Sequence, residues 1–344
     1  MSGTPPGERT GRAPVTMGVL GCADIAARRM LPAMAAGSRV RVTAIAGRDP
    51  ARTALFAARF GCEAVDDYAR LLARPDIDAV YIPLPTGLHA RWTLRALEAG
   101  KHVLVEKSAT ATLAQAHEVV GLARERGLAL MENFAFVHHG QHAAARRRLD
   151  GDEIGELRVL QASFGIPPRP PADIRYRPDL GGGALLDVGA YPVRAALMYL
   201  GDDLEVVGST LRLDRERGVD VSGSALLASP RGATAELSFG FEHSYRSHCS
   251  LWGSTGRLVL EQPFSPPATA RPVTRLARQD HLQHFVLGAE DQFARAADHF
   301  AHLSRGPAAA REEEYTQILR QAALLSAVRA TARTTRSARR PDAS

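Results

Sequence analysis

Three side chains in this chain of 344 residues are of types that serve as acids or charge stabilisers in polar sites. Lys107 lies where the fifth of a series of apolar strands is predicted to end. Asp187 and Tyr191 follow a run of three glycines and are four residues apart, so they share one face of a predicted helix. A carboxylate and a phenol presented together are suited to a polar cavity. The alternative is that Asp187 pairs locally with Arg194 and that Tyr191 is half-buried core.

A nucleotide site is predicted near the start of the chain. Residues 16–20 form an apolar strand, and a glycine then stands where a sharp turn into a helix needs a residue with free φ. The helix N-terminus attracts a diphosphate through its unpaired N–H groups and its dipole. Ala23 and Ala26 stand at the second and third small positions of the usual G-x-G-x-x-G/A pattern. The predicted cofactor-binding loop comprises Gly21, Cys22, Ala23, Asp24 and Ile25.

The end of the second predicted strand indicates which dinucleotide binds. NAD enzymes usually place a carboxylate there, whereas NADP needs room and positive charge. This chain has Gly47 and Arg48 at that point, with Arg52 one turn further on. Asp49 directly precedes Pro50, a pattern typical of a helix N-cap. The sequence therefore predicts NADPH/NADP as the cofactor.

The first part of the chain alternates strands and helices in the way that a parallel sheet requires. Residues 1–14 are predicted to be a disordered tail. Residues 15–132 are predicted to form a dinucleotide-binding Rossmann domain. The predicted strands after the first are 40–46, 78–84, 102–106 and 128–132, and the predicted helices are 50–60, 89–99 and 113–126.

The pattern changes after residue 132, because strands then follow strands. Residues 133–335 are predicted to form a substrate-binding α+β domain with an open, mostly antiparallel sheet, followed by a disordered tail at 336–344. The fold class is therefore α/β. The predicted strands are 157–165, 204–213, 219–228, 233–239, 247–252 and 257–261, and the predicted helices are 183–200, 290–305 and 311–333.

Composition narrows the class of protein. The content of 45% hydrophobic and 23% charged residues is that of an ordinary globular protein. The net charge is +6, but the arginines are scattered and not interleaved with aromatic residues, so no nucleic-acid partner is expected. No apolar run is long enough to span a membrane, and the start of the chain lacks the pattern of a signal peptide, so a cytoplasmic protein without a membrane partner is expected. Three cysteines are too few and too scattered for a disulfide framework or a zinc site, and no metal is expected.

Four motifs in order carry a resemblance to a known family. They are the turn at 18–26, Tyr-Ile-Pro-Leu-Pro with a histidine at 81–89, Gly-Lys-His-Val-Leu-Val-Glu-Lys at 100–107 and Gly-Gly-Gly-x-Leu-x-Asp-x-Gly-x-Tyr at 181–191. Together they resemble the glucose-fructose oxidoreductase / inositol dehydrogenase family over residues 17–333. Within it, segments at 131–134 and 167–176 are most similar to the NADPH-dependent C-3 ketoreductases that act on TDP-linked keto-deoxysugars in antibiotic biosynthesis.

The resemblance implies site residues and two departures from the family pattern. Lys107 and Tyr191 are implied as the catalytic pair, with Asp187 in the same site. Ser108 replaces the usual proline, which predicts a looser turn, and Tyr191 replaces the usual histidine of sugar dehydrogenases, which favours a ketoreductase. Further implied cofactor contacts are Pro83, Leu84, His89, Glu106 and Lys107, although His89 could equally only begin a helix. The implied substrate contacts are Lys107, Asn133, Tyr176, Asp187 and Tyr191. Arg175, in the proline-rich loop, is a candidate diphosphate ligand because a guanidinium matches phosphate oxygens, or else a solvated loop charge.

The implied reaction is reduction of a keto group at C-3 of a TDP-linked deoxysugar. Hydride comes from NADPH, Lys107 holds the carbonyl oxygen, and Tyr191 gives the proton, its pKa lowered by the neighbouring ammonium. Two alternatives remain: an NADP-dependent dehydrogenase of a free sugar, diol or inositol, and a non-catalytic protein that senses NADP. A homo-oligomer, dimer or tetramer, is expected through the open sheet, because such faces pair subunits in the resembling family.

Overall fold

A six-stranded parallel sheet forms the first half of the protein. In the computed structural model, which describes residues 13–336, the strand order is β3-β2-β1-β4-β5-β6. All neighbouring strands are parallel, and the order reverses between β1 and β4, where an open α/β sheet has its ligand crevice. The strands are β1 Val15–Leu20, β2 Val40–Ala46, β3 Glu63–Val65, β4 Ala79–Ile82, β5 His102–Glu106 and β6 Leu130–Asn133.

Helices cover both faces of this sheet. Local capping explains the sharp ends of two of them: Asp49 accepts hydrogen bonds from the N–H groups of Ala51 and Arg52, and Gly127 ends a helix in the left-handed region at φ +61°. A π-helical turn, Ala26–Met30, precedes the first α-helix. The α-helices are α1 Leu31–Ala36, α2 Pro50–Phe60, α3 Tyr68–Leu72, α4 Thr86–Glu98 and α5 Leu113–Arg126.

A nine-stranded sheet forms the second half. Its order is β14-β13-β12-β11-β7-β10-β9-β8-β15, and only the β7–β10 and β8–β15 pairs are parallel. The predicted open, mostly antiparallel sheet is confirmed. The strands are β7 Leu157–Gly165, β8 Glu205–Asp214, β9 Val219–Ala228, β10 Thr234–Gly240, β11 Arg246–Gly253, β12 Arg257–Leu260, β13 Val273–Arg278, β14 His281–Val286 and β15 Ala332–Arg336.

Four helices belong to this half by sequence. They are α6 Gly140–Asp150, α7 Ala190–Leu200, α8 Gln292–Arg305 and α9 Ala308–Thr331. The predicted helix at 311–333 is wrong at its end, because the chain leaves the helix at Ala332 and pairs with β8. The helix α6 and the β13–β14 hairpin were not predicted. The predicted tails fall outside the described residues, except for positions 13, 14 and 336.

The two C-terminal helices hold the two halves together. Phe300 of α8 packs in a core beneath the first sheet, and Ile318 in the first part of α9 packs in another. Further along α9, Leu325 and Val328 pack in the core of the second sheet. The helix α9 therefore crosses the boundary between the two sheets. Within residues 13–336, no helix is both long and apolar enough to span a membrane.

Candidate functional site

The turn after β1 is shaped for close approach of a ligand. Gly21 adopts φ +113°, a left-handed conformation, and its N–H donates to the carbonyl of Ala46 at 2.8 Å. A Cβ added there would lie 2.9 Å from Leu84 Cδ2, so only a glycine fits between this turn and the Leu84 side chain. Arg52 donates from Nη2 to the carbonyl of Cys22 at 2.7 Å. This bond holds the loop against α2, and the N-terminus of the next helix follows the loop directly.

The end of β2 has the arrangement predicted from its sequence. The Asp49 carboxylate caps α2, so it is occupied by two backbone N–H groups. Gly47 is packed under Thr53 and Cys22, where a side chain would collide with the Thr53 hydroxyl. The side chain of Arg48 is exposed beside this turn. Among the described residues, the Arg48 guanidinium therefore has no partner at this edge and can bind a ligand, whereas the Asp49 carboxylate is engaged as a helix cap.

Lys107, Asp187 and Arg175 form one charged cluster at the carboxyl end of β5. Lys107 Nζ donates to a carboxylate oxygen of Asp187 and, at 3.0 Å, to its backbone carbonyl. Arg175 Nε donates to the other carboxylate oxygen at 2.6 Å. The pairing of Asp187 with Arg194, kept open from sequence, is not observed, since Arg194 donates to the Gln317 side chain at 2.9 Å.

The cluster sets the charges of its members. Burial alone would raise the pKa of the Asp187 carboxyl, but the Lys107 ammonium and the Arg175 guanidinium hold it well below its usual range. Burial would lower the pKa of Lys107, but the charge of Asp187 raises it above its ordinary value. Lys107 and Arg175 share the Asp187 carboxylate, and Arg175 also pairs with Asp173, so the two cations are matched by two carboxylates.

Tyr191 lies beside this cluster in an aromatic wall. The Lys107 ammonium is 5.3 Å from the centroid of the Tyr191 ring. The ring packs edge-on against Phe164 at 4.8 Å and Phe134 at 5.7 Å. Among the described residues, none accepts a hydrogen bond from its hydroxyl.

The predicted lowering of the Tyr191 pKa is wrong in its net direction. Burial raises the pKa of the phenol to about 12, and the neighbouring Lys107 charge offsets only part of that shift. The phenol is therefore protonated at neutral pH, as a proton donor requires.

Asp187 lies in a π-helical turn, Leu185–Gly189, and not in a regular α-helix. Single π-turns occur frequently at functional sites because they change the direction of side chains locally. Asp187 and Tyr191 still converge on Lys107, because the regular helix resumes with α7 at Ala190.

The turn after Lys107 is fixed by three side chains. His89 Nδ1 bonds to the carbonyl of Ser108 at 2.7 Å, and Glu132 accepts from the N–H of Ala109 at 2.7 Å. The Ser108 hydroxyl donates to the carbonyl of Leu186 at 3.0 Å. The peptide between Lys107 and Ser108 is cis. The sequence analysis assigned no role to Glu132, although it lies at the end of β6 in the segment 131–134 that carries part of the resemblance.

His89 is buried, and both of its ring nitrogens bond within the protein. Its Nε2 contacts the carbonyl of Leu84 at 2.6 Å, and only 1% of the residue is exposed. The ring therefore braces the ends of β4 and β5 against each other. Pro83, which lies between the end of β4 and Leu84, is also buried.

Glu106 and Asn133 are joined to each other in the wall of the crevice. Asn133 donates from Nδ2 to Glu106 Oε1 at 2.7 Å, and the Tyr81 hydroxyl donates to the same oxygen at 2.7 Å. The two residues are register partners at the ends of β5 and β6. Burial raises the pKa of the Glu106 carboxyl.

The predicted substrate residues Arg175 and Tyr176 point to different surroundings. The Arg175 guanidinium is held by Asp187 and, at 3.2 Å, by Asp173. Tyr176 is buried, and its hydroxyl accepts from the N–H of Arg169 at 3.2 Å. The structure therefore brings Lys107, Asp187, Tyr191 and Arg175 together, whereas Tyr176 lies in the adjoining core.

The glycine-rich segment before Asp187 makes a close contact with the first half of the protein. A Cβ on Gly87, at the start of α4, would lie 2.7 Å from the backbone of Leu180. A Cβ on Gly181 would lie 2.5 Å from the N of Gly87. The sequence analysis did not single out Gly87, because its role depends on a segment far along the chain.

Neighbouring histidines at 138–142 have structural contacts. His142 bonds to the Tyr199 hydroxyl and to the carbonyl of Pro263, each at 2.8 Å. The His138 ring lies 4.7 Å from that of His299. Within residues 13–336, no three His, Cys, Asp or Glu side chains are grouped as a metal site.

Comparison with known proteins gives consistent matches over most of the chain. A family model described as an oxidoreductase family with an NAD-binding Rossmann fold matches residues 15–134. The model of the GFO/IDH/MocA C-terminal domain matches residues 142–259.

Similar proteins include two curated reductases and one solved structure. The dTDP-3,4-didehydro-2,6-dideoxy-alpha-D-glucose 3-reductase of Actinomadura kijaniata is 53% identical over 93% of this chain and 96% of its own length. The enzyme of the same name from Saccharopolyspora spinosa is 52% identical over 92% of this chain and 97% of its own. The crystal structure of KijD10, a 3-ketoreductase from Actinomadura kijaniata in complex with NADP and TDP-benzene, has a TM-score of 0.91 and 52% identity, covering 94% of this chain and all of that one (100%).

Proposed function

Because this chain belongs to the GFO/IDH/MocA oxidoreductase family, we propose that it reduces the C-3 keto group of a TDP-linked deoxysugar with NADPH. The observation that carries the proposal is the approach of the Lys107 ammonium to the Tyr191 phenol, 5.3 Å from ammonium to ring centroid, at the carboxyl edge of the first sheet. The names and ligands of the similar proteins support the choice of a TDP-ketosugar and of NADP.

The cofactor fits the turn after β1. The diphosphate would lie against the helix N-terminus and the loop at Gly21, which turns sharply at a φ of +113°. The 2′-phosphate would lie at the end of β2 beside the exposed Arg48, since Asp49 is engaged as a helix cap. When bound, NADPH supplies the hydride.

The charged cluster stabilises the negative charge that develops on the carbonyl oxygen. The Lys107 ammonium faces the developing oxyanion, and Asp187, which also pairs with Arg175, holds that ammonium in place. Asp187 fixes the Lys107 ammonium through two of its oxygens, so one N–H remains for the substrate.

Tyr191 then supplies the proton. Its pKa of about 12 keeps it protonated at neutral pH, yet an alcohol is a weaker acid than a phenol, so transfer to a sugar alkoxide is downhill. The aromatic wall of Phe134, Phe136, Phe164 and Phe264 excludes water from the ring face.

The decisive experiment offers the purified protein NADPH with a TDP-linked 3-keto-deoxysugar and follows NADPH oxidation. We expect turnover, and a loss on the order of a hundred- to a thousand-fold with Lys107→Ala. Oxidation of free aldoses, diols or inositol with NADP and no reduction of the ketosugar would identify a dehydrogenase instead. NADPH binding without turnover, unaffected by Lys107→Ala, would identify a sensor.

We further propose that the protein forms a homo-oligomer through the outer face of the second sheet. One row of residues crosses five strands on that face: Val159, Trp252, Arg257, Ala277 and Leu282 are successive register partners. Trp252 is 54% and Leu282 59% exposed, which is unusual for large apolar side chains on one surface.

The oligomer is tested by light scattering on the eluting protein. Trp252→Glu and Leu282→Glu together are expected to shift the mass toward that of one chain. The matched control is Leu55→Glu, because Leu55 is 73% exposed on α2, far from this sheet. A wild-type protein that elutes as a single chain at micromolar concentration would overturn this proposal.

A further inference from the structure

We propose that Ser108 is a positioning residue whose hydroxyl ties the strand end that carries Lys107 to the π-turn that carries Asp187. The Ser108 hydroxyl donates to the carbonyl of Leu186 at 3.0 Å. Ser108 follows Lys107 directly, and Leu186 directly precedes Asp187. The inference rests on the proposed function, because it assigns a role within the same site.

Among the described residues, the other side-chain hydrogen bonds between these two segments come from the Lys107 ammonium. Lys107 contacts Asp187 through the carboxylate and the carbonyl, and both contacts depend on the ammonium. The bond between Ser108 and Leu186 is between neutral groups. It therefore persists when the ammonium turns toward a substrate oxygen.

The other side of Ser108 is already fixed. Its carbonyl contacts His89, and the next N–H, that of Ala109, donates to Glu132. Each of these bonds holds the turn to the first half of the protein only. The hydroxyl extends this network across to the π-turn, beside the bonds that Lys107 makes to Asp187.

Burial makes the loss of this hydroxyl consequential. Ser108 is 2% and Leu186 5% exposed, so water cannot readily replace the donor at the Leu186 carbonyl. Loss of this bond would let the π-turn move relative to the Lys107 turn, and Asp187 with it. Displacements of about 1 Å at a catalytic group can cost as much as 100-fold in rate.

The test compares Ser108→Ala with a matched control, Ser250→Ala. Ser250 on β11 is also 2% exposed, and its hydroxyl has no hydrogen-bond partner among the described residues. We expect Ser108→Ala to lower kcat about 10-fold while KM for NADPH changes less than about 2-fold. Ser250→Ala is expected to retain wild-type kcat. Ser108→Cys has a weak donor of similar size, and its kcat is expected to lie between those of Ser108→Ala and Ser250→Ala. It replaces the alanine variant in the test if Ser108→Ala does not fold.

A second readout does not depend on turnover. The chain has two lysines, Lys101 and Lys107, so selective ¹³C-lysine labelling gives two Cε resonances, which Lys107→Arg assigns. Lys101 donates to the carbonyls of Arg74 and Ile77 and is the internal reference. We expect the Lys107 resonance to titrate at lower pH in Ser108→Ala than in the wild type, because its contact with Asp187 is loosened.

The two readouts separate the outcomes. An unchanged Lys107 titration in Ser108→Ala, or an equal shift in Ser250→Ala, would overturn the positioning role whatever the enzyme reduces. A shift confined to Ser108→Ala supports the role, even if no TDP-ketosugar is turned over. If the shift occurs but no TDP-ketosugar is turned over, the proposed reduction is refuted and the positioning role is not.

Discussion

The Lys107 ammonium and the Tyr191 ring meet across the two halves of the protein, 5.3 Å apart from nitrogen to centroid. Lys107 ends a strand of the parallel sheet, and Tyr191 begins a helix beneath the antiparallel one. Neither half contains the site alone. Asp187, four residues before Tyr191, accepts hydrogen bonds from the Lys107 ammonium and holds it in place.

Tyr191→Phe removes the proton donor and leaves the charged cluster in place. We expect kcat to fall on the order of 100-fold, within the usual range for a general acid, while the Kd for NADPH is unchanged. Because the phenol has a pKa of about 12 and that of Lys107 is also raised, the wild-type kcat should stay level from about pH 7 to about pH 10. A steady-state profile in buffers of constant ionic strength measures both. A decline centred near neutral pH that persists in Glu132→Gln would exclude Tyr191 as the donor, because Glu132 beside the Lys107 turn itself has a pKa of about 7.

Arg175→Gln removes one of the two cations that share Asp187. The net charge of the cluster falls by one, so we expect kcat to drop on the order of 10-fold, less than for loss of a direct oxyanion donor. The matched control is Arg177→Gln, because Arg177 forms an exposed pair with Asp179 two residues away and should change kcat less than about 2-fold. Equal effects of the two variants on KM for the TDP-sugar alone would instead support diphosphate binding by this loop.

The local elements of the fold were predictable from sequence for identifiable reasons. The predicted bounds 50–60 and 113–126 are correct, and in the structure Asp49 and Gly61 cap the first of these helices and Thr112 and Gly127 the second. The strand β3 was not predicted, because its three residues are too few to show an alternating pattern. The strand β15 continues a helical sequence and is decided by its pairing with β8.

The site was less predictable, because its geometry depends on contacts between distant segments. Lys107, Asp187 and Tyr191 were singled out by their types and positions, their catalytic role was implied by resemblance, and their spacing alone left the pairing of Asp187 open. Arg175 was predicted as a substrate ligand on its chemistry, which fits phosphate and carboxylate equally. The π-turn at Leu185–Gly189 has no local sequence signal. Burial of Tyr191, which raises its pKa, also follows only from the three-dimensional packing.

Cofactor choice can be tested at the end of β2. Arg48→Ala is expected to weaken NADPH binding about 10- to 100-fold and NADH binding little, because a guanidinium bond to phosphate is lost. Asp49→Asn retains a side-chain acceptor for the N–H groups of Ala51 and Arg52 and should leave the NADPH to NADH ratio unchanged. Binding titrations followed by coenzyme fluorescence measure both ratios. An altered ratio in Asp49→Asn alone would mean that this carboxylate faces the ribose.

Glu132→Gln is expected to change how stability depends on pH. Burial raises the pKa of the Glu132 carboxyl to about 7, although the Ala109 N–H and the Arg194 charge lower it in part. The folded state therefore holds a proton that the unfolded state releases above about pH 4.5, so the wild type loses stability as pH rises from there to about 7. The glutamine keeps an acceptor for the Ala109 N–H and has no charge to bury.

Urea unfolding at about pH 5 and about pH 8 measures this effect. Relative to the wild type, Glu132→Gln should gain stability between the two values, by up to about 3 kcal/mol for a shift of this size. Glu98→Gln, at an exposed position near the end of α4, is the control and should follow the wild type at both. Parallel curves for the wild type and Glu132→Gln would show that Glu132 is already ionised in the folded protein, and its bond to Ala109 would then hold the Lys107 turn through a full charge.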